Sequence, residues 1–251
     1  MKPIPDASII AASWDVVPKV IAFTTTRVRG RSLPPYNGFN LAQHVGDDEK
    51  IVAANRQELS DWFDADISFQ WLNQVHGTSV CRIDAAAKPF DADALVTARK
   101  GLACCVLTAD CLPVFFAAKD GSEIGIAHAG WRGLLDGVAE NTLRNMKTPA
   151  KEVAAYLGPA IGPCHFDVGR DVMKRFKDAA DFQAVEKYFS PTLESGKYMA
   201  DLFGLAKFRL TALGVEVTSS DICTVCESET LYSYRHSPVT GRMANVILIK
   251  P

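Results

Sequence analysis

The chain has 251 residues, 48% hydrophobic and 22% charged, with 17 Gly and 13 Pro scattered along it, a balance that excludes disorder and predicts one globular domain over 1–251. A formal net charge of -2, with no dense Lys/Arg run, leaves nothing to neutralise a phosphate backbone, so nucleic acid is not an expected partner. The opening MKPIPDASIIAASWDVVPK lacks the continuous apolar stretch of a secretory signal and no later stretch approaches a membrane span, so a cytoplasmic monomer without membrane attachment is expected.

In chain order, KVIAFTTT is rich in β-branched and aromatic residues and predicts a strand, and the RVRGRSLPPYNGFN that follows predicts an ordered loop. From Asp48 the spacing of Ile51, Val52, Asn55, Leu59, Trp62 and Phe63 predicts a packing helix with Asp47 or Asp48 as N-cap. Six short apolar runs then follow, SFQWL, VCRI, DALVT, LACCVLT, PVFFAA and EIGIAHA, each bounded by turn or charged residues, and they predict a central sheet. GLLDGVAENTLRNM and YMADLFGLAKFRLTALG each carry helical periodicity. Strands concentrated in the middle, without regular β-α alternation, indicate an α+β fold with packed mixed sheets.

Three segments place a metal-capable side chain where a strand gives way to a turn: His76 in NQVHG, Cys111 in TADCLPV and His128 in AHAGWRG. Two imidazoles and one thiolate leave a tetrahedral Zn2+ with an open fourth position, the arrangement of a catalytic site, at which a water becomes a nucleophile near neutral pH. Copper suits the same donors. A His at a strand end is more often a satisfied polar residue, and spacing alone does not make the three converge. Arg132 begins a helix, where free N–H groups favour an anion, although a surface arginine is nearly as natural there.

Seven cysteines in a reducing compartment predict no structural disulfides. Cys104 and Cys105 sit in an apolar run and are expected to pack. Cys223-Thr-Val-Cys226 is an isolated CxxC with no second pair at zinc-ribbon spacing, so no separate structural zinc is expected. LGPAIGPCHFDVG, with three Gly and two Pro, predicts a fixed loop of close backbone approach carrying Cys164 and His165.

Taken together, TTRVRG, FNLAQHVGDD, NQVHG, ADCLPVFF, AHAGWRG, GPAIGPCHFDVG and CTVCESETLYSYRHSPVTGRMA closely resemble the laccase-domain, or polyphenol oxidase, family of YfiH-type purine nucleoside phosphorylases, over about residues 20–249. The resemblance implies α/β/β/α layers akin to toxin deamidases and a metal site at His76, Cys111 and His128. It implies phosphorolysis of adenosine, inosine, guanosine and methylthioadenosine, together with adenosine deamination. Purine nucleosides and phosphate are then the partners, with contacts carried over to Asn40, His44, Arg132 and Arg27. Within the chemistry, Cys111, His76 and Asp110 are the expected catalytic residues, with Asp110 or His44 as proton shuttle. The sequence departs from the family pattern at RVRGRSLPPYNG, at His165 and at His236, where substrate preference could differ.

Two alternatives use the same residues. One is copper-dependent phenol oxidation, although a four-copper laccase demands many more than the five histidines present. The other is a metal-free cysteine hydrolase or amidase with Cys111 as nucleophile and His128 as base.

Overall fold

The computed structural model describes residues 7–14, 19–179 and 182–251. Along the chain come β1 (Ile9–Ala11), β2 (Val20–Thr25), α1 (Glu49–Asp61), β3 (Ser68–Gln70), β4 (Leu72–Asn73), β5 (Val80–Arg82), β6 (Phe90–Asp91) and β7 (Ala94–Thr97). Next are β8 (Leu102–Thr108), β9 (Leu112–Ala118), β10 (Ile124–Ala129), α2 (Trp131–Asp136), α3 (Val138–Asn145), β11 (Val153–Leu157), β12 (Asp167–Val168) and α4 (Arg170–Lys177). The last third carries α5 (Phe182–Val185), β13 (Phe189–Pro191), β14 (Tyr198–Ala200), α6 (Leu202–Ala212), β15 (Glu216–Ser219) and β16 (Met243–Ile249).

Two larger sheets organise these strands, in the orders β1-β2-β16-β8-β3 and β15-β11-β9-β10-β7-β5. Both are mixed: β3 runs parallel to β8, β5 to β7 and β11 to β15, while the other pairs within them are antiparallel. The chain is thus α+β with several mixed sheets. All six apolar runs of the middle segment form strands.

Side-chain alternation distributes each run between two cores. On β8, Cys104 and Val106 point toward Phe115, Ile124 and Ile126 of the other sheet, whereas Ala103, Cys105 and Leu107 pack with Leu59, Trp62 and Phe63 beside α1. On β9, Phe115 and Ala117 face the inter-sheet core, while Leu112, Val114 and Phe116 meet Leu134, Leu143, Met173 and Leu205 from the helices. Both Cys104 and Cys105 are fully buried, and burial pushes both thiols up.

Asp48 is the N-cap of α1, its Oδ1 accepting from the N–H of Lys50 at 2.8 Å and of Ile51 at 3.2 Å. The helix does more than pack. Its buried Asn55 donates to Asn40 O at 2.9 Å and Ser32 Oγ at 3.1 Å and accepts from Arg31 N, fixing the loop between β2 and α1. The segment expected as one helix from Gly133 to Met146 is two, because Gly137 adopts φ 95°, the left-handed region in which an α-helix cannot continue. YMADLFG likewise begins as β14, and the helix starts only after Asp201, which accepts from Gly204 N at 2.9 Å. No helix among the described residues is long and apolar enough to cross a membrane.

Candidate metal centre

His76, Cys111 and His128 converge, with their ligand atoms all within 4.8 Å of one another. Each arrives from a different connection of the fold. His76 lies in the turn after β4, Cys111 in the tight connection between β8 and β9, and His128 near the end of β10. Two of these turns need unusual backbone: His76 has φ 57° and Asp110, just before Cys111, has φ 96°. Gly130 makes the approach feasible, since a Cβ there would lie 3.1 Å from Cys111 Sγ and 3.5 Å from the His76 ring.

A buried carboxylate organises the set. Asp93, fully buried at the foot of β7, accepts from the backbone N–H of His76 at 3.0 Å and of Gly77 at 2.6 Å. Its Oδ1 also meets His128 Nδ1 at 2.8 Å, leaving Nε2 of that ring as the ligand atom. Burial alone would raise the Asp93 carboxyl, but His128 and the Gly77 and His76 N–H groups outweigh it and hold it below the usual carboxylate range. Cys111 and His128 shift in opposite directions. Burial opposes charge on both, yet the imidazole draws the thiol down, and the thiolate with Asp93 draws the imidazole up. A thiol already disposed to be a thiolate is the form a metal takes.

The three residues open into a cavity of about 450 Å3. Its lining also includes Gln74, His44, Phe166, Tyr234, Arg235 and Arg242. Gln74 ties the His76 turn to β8, donating to Leu107 O at 2.8 Å and accepting from Leu107 N at 2.7 Å. Desolvation and the guanidiniums of Arg242 and Arg56 push the His44 imidazole below its ordinary value. Arg242 is anchored through Nη1 to Thr240 O and Gly241 O, both at 2.9 Å.

The remaining sequence candidates lie as follows. Asp110 lines the cavity with both carboxylate oxygens engaged, by Thr224 Oγ1 and by Arg235 N, each at 2.6 Å. Asn40 is fully buried outside the lining, accepting from Arg242 N and Ala42 N at 3.0 Å and donating to Asp47. Arg27 clasps Ser228 O and Asn37 and lies over Tyr232, and Arg132 is exposed beside Trp131; neither lines the cavity. Arg235 and Arg242 supply its guanidiniums instead. The expectation that Cys223-x-x-Cys226 stands alone is corrected, because Cys164 and His165 come to lie against it. Sequence reasoning missed Asp93, Gln74 and Arg242; only the step from polar residues to the apolar run ALVT marks Asp93, and it does not distinguish it from its neighbour Asp91.

Comparison with known proteins gives a consistent picture. Residues 21–250 match the family model described as multi-copper polyphenol oxidoreductase laccase. The chain is 41% identical over 239 residues to a purine nucleoside phosphorylase of Haemophilus influenzae, covering 95% of this chain and 98% of that protein. It is 40% identical over 245 residues to the purine nucleoside phosphorylase YfiH of Escherichia coli, covering 96% and 98%. Among solved structures, Neisseria meningitidis protein NMB0706, of family DUF152, superposes with a TM-score of 0.91 at 40% identity, covering 97% of this chain and all of that one.

Proposed function

The chain belongs to the YfiH-type purine nucleoside phosphorylase family with its laccase domain, and we propose that it cleaves purine nucleosides with phosphate and deaminates adenosine at a mononuclear zinc site. The observation that carries this reading is the convergence of His76, Cys111 and His128 on the floor of a cavity rimmed by two arginines and two aromatic rings. The order of packing, helix against sheet against sheet against helices, supports the four-layer α/β/β/α, toxin-deamidase-like arrangement.

The donor set fits zinc: one thiol biased toward its anion and two imidazoles, one held in the right tautomer by Asp93, with room for a fourth group. Copper suits the same atoms, although the five histidines are too few for a four-copper oxidase. When bound, zinc supplies electrophilic polarisation and water activation near neutral pH.

The other roles belong to the rim. Arg242, with Arg235 held beside it by Asp167, rather than Arg132 and Arg27, faces phosphate beside the sugar, where one phosphate oxygen displaces the base at C1′ and the C1′–N9 electron pair leaves with the purine. Phe166 and Tyr234 offer faces for the purine. The His44 imidazole, held below its ordinary value and so neutral near pH 7, accepts a proton and returns it to the departing base or amine. Asp110 holds Arg235 through its backbone N–H and thereby sets the rim.

Zinc-quantified protein incubated with adenosine, with and without phosphate, tests the reading by chromatography. Adenine that forms only with phosphate, and inosine under both conditions, is the expected outcome, with neither formed by Cys111→Ala; unchanged adenosine sinks the proposal. The mutual polarisation of Cys111 and His128 favours a second reading, a thiol hydrolase, which predicts activity that survives chelation and is lost to iodoacetamide.

A further inference from the structure

The geometry points to a second, structural metal site, in which Cys164, His165, Cys223 and Cys226 form a closed tetrahedral set for zinc, apart from His76, Cys111 and His128. The four ligand atoms all lie within 4.8 Å of one another. His165 Nδ1 is 3.2 Å from Cys164 Sγ, 3.6 Å from Cys223 Sγ and 3.5 Å from Cys226 Sγ, and the Cys164 and Cys226 sulfurs are 3.6 Å apart. Ordinary Zn–S and Zn–N lengths of about 2.3 and 2.05 Å give tetrahedral edges of about 3.8 Å between sulfurs and about 3.6 Å from sulfur to nitrogen. The observed separations are close to those edges. Four protein ligands leave no open position, so the site is structural rather than catalytic.

The surrounding backbone is shaped for the cluster. Gly162 donates its N–H to Cys223 Sγ at 3.2 Å, the kind of contact that stabilises a bound thiolate. A Cβ on Gly162 would lie 3.0 Å from Cys223 Cβ and 3.3 Å from the sulfurs of both Cys164 and Cys223, so a larger residue would force the two loops apart. Those loops are already in register: Thr224 N donates to Ala160 O at 2.9 Å and Ala160 N to Ile222 O at 3.2 Å. Cys223 is buried and the other three ligands are exposed, as suits a surface clamp. A disulfide accounts for less. The Cys164 and Cys226 sulfurs stand well beyond the bond length of about 2.05 Å, and a bridge between them would leave His165 and Cys223 aimed at it without purpose.

The clamp joins the loop after β11 to the one after β15, and these two carry Ile161, Phe166, Tyr234 and Arg235 to the cavity wall. On binding, each cysteine enters as the thiolate and its proton passes to solvent.

The test is independent of activity and of the first cluster. Full-length Cys111→Ala protein, expressed with zinc and purified without chelator, is expected to retain one zinc per chain by native mass spectrometry and elemental analysis. Adding Cys226→Ala reduces this to none, and His165→Cys in place of Cys226→Ala keeps one. Cobalt bound to Cys111→Ala is expected to show the charge-transfer absorption of a tetrahedral ion with several thiolates, a readout that needs no further variant to fold. Iodoacetamide is expected to leave Cys164, Cys223 and Cys226 unmodified until a chelator is added. Zinc-free Cys111→Ala protein with these three cysteines freely alkylated, or a Cys164–Cys226 disulfide in its peptide map, overturns the site. Failure of the nucleoside assay bears on none of these measurements.

Discussion

Asp93 shows how one buried carboxylate can organise a Cys/His cluster able to hold a metal ion without belonging to it. It draws in the N–H groups that close the His76 turn and fixes the tautomer of His128, so the two imidazoles present themselves together. Asp93→Asn keeps the shape but loses the charge, and whichever way its amide turns, its NH2 faces an N–H that the carboxylate accepted from, so the His76 turn and the His128 ring are no longer both held. A 10- to 100-fold loss of zinc affinity follows, measured by competition with a chromophoric chelator; unchanged affinity would refute the orienting role. The three residues of the cluster were legible in the sequence because each sits at a strand-to-turn junction. Asp93 was not, because its role arises only when β7 is laid beside β10, which places it opposite His128. Arg132 illustrates the converse: helix-terminus logic singles it out, yet it is exposed and outside the cavity lining, while Arg235 and Arg242, on loops with no such signal, line it.

At the level of elements, the turn between β9 and β10 is tied down by Glu123. This buried carboxylate accepts from Lys147 N, Thr148 N and Thr148 Oγ1 and pairs with Arg82 on the edge strand β5, linking the end of α3 to the sheet. Burial would raise its carboxyl, but the Thr148 and Lys147 N–H groups and Arg82 outweigh it and lower it. A folded-state value below the unfolded one means the stabilisation is complete above the unfolded carboxyl range, about pH 4.3, and fades as the pH falls through the folded value. Glu123→Gln is therefore expected to cost about 1–3 kcal/mol at pH 7 by urea denaturation, with the gap from the parent narrowing below about pH 4. A gap that stays constant with pH would show that the charge is idle. The strands were readable in all six middle runs because each is a short apolar segment closed off by turn or charged residues, as strands buried on both faces are. The helix break at Gly137 was not, since a glycine within an amphipathic pattern looks the same whether φ is negative or positive.

Across the whole molecule, the cavity is assembled from remote segments. Asn40 accepts from the backbone N–H of Arg242, a residue 202 positions later, and Asn55 of α1 holds Asn40 in turn. β16, which follows Arg242 directly, lies between β2 and β8 at the middle of its sheet, so this part of the cavity forms only when the last strand has joined β2 and β8. Asn40→Ala is expected to loosen Arg242 and raise the KM for phosphate several-fold while zinc content stays unchanged, as steady-state kinetics and elemental analysis would show. An equal loss of zinc would indicate general collapse instead. Such pairing across the chain leaves no trace in local periodicity; only the family resemblance singled out Asn40, as a substrate contact, and the structure buries it as a brace beneath Arg242.

Asp110 adjoins Cys111 in the chain, and its carboxylate is bonded to the hydroxyl of Thr224, the residue that stands between Cys223 and Val225 in the CxxC turn. The two cysteine-histidine clusters are therefore separated by one hydrogen bond and two peptide steps. Thermodynamic reciprocity governs such neighbours: whatever factor by which filling one cluster changes the affinity of the other is returned unchanged in the opposite direction. Thr224→Val removes that bond without altering a residue of either cluster and leaves the second link, from Ile161 N to Asp110 O at 2.9 Å, in place, so it is expected to weaken any coupling between the two and not to abolish it.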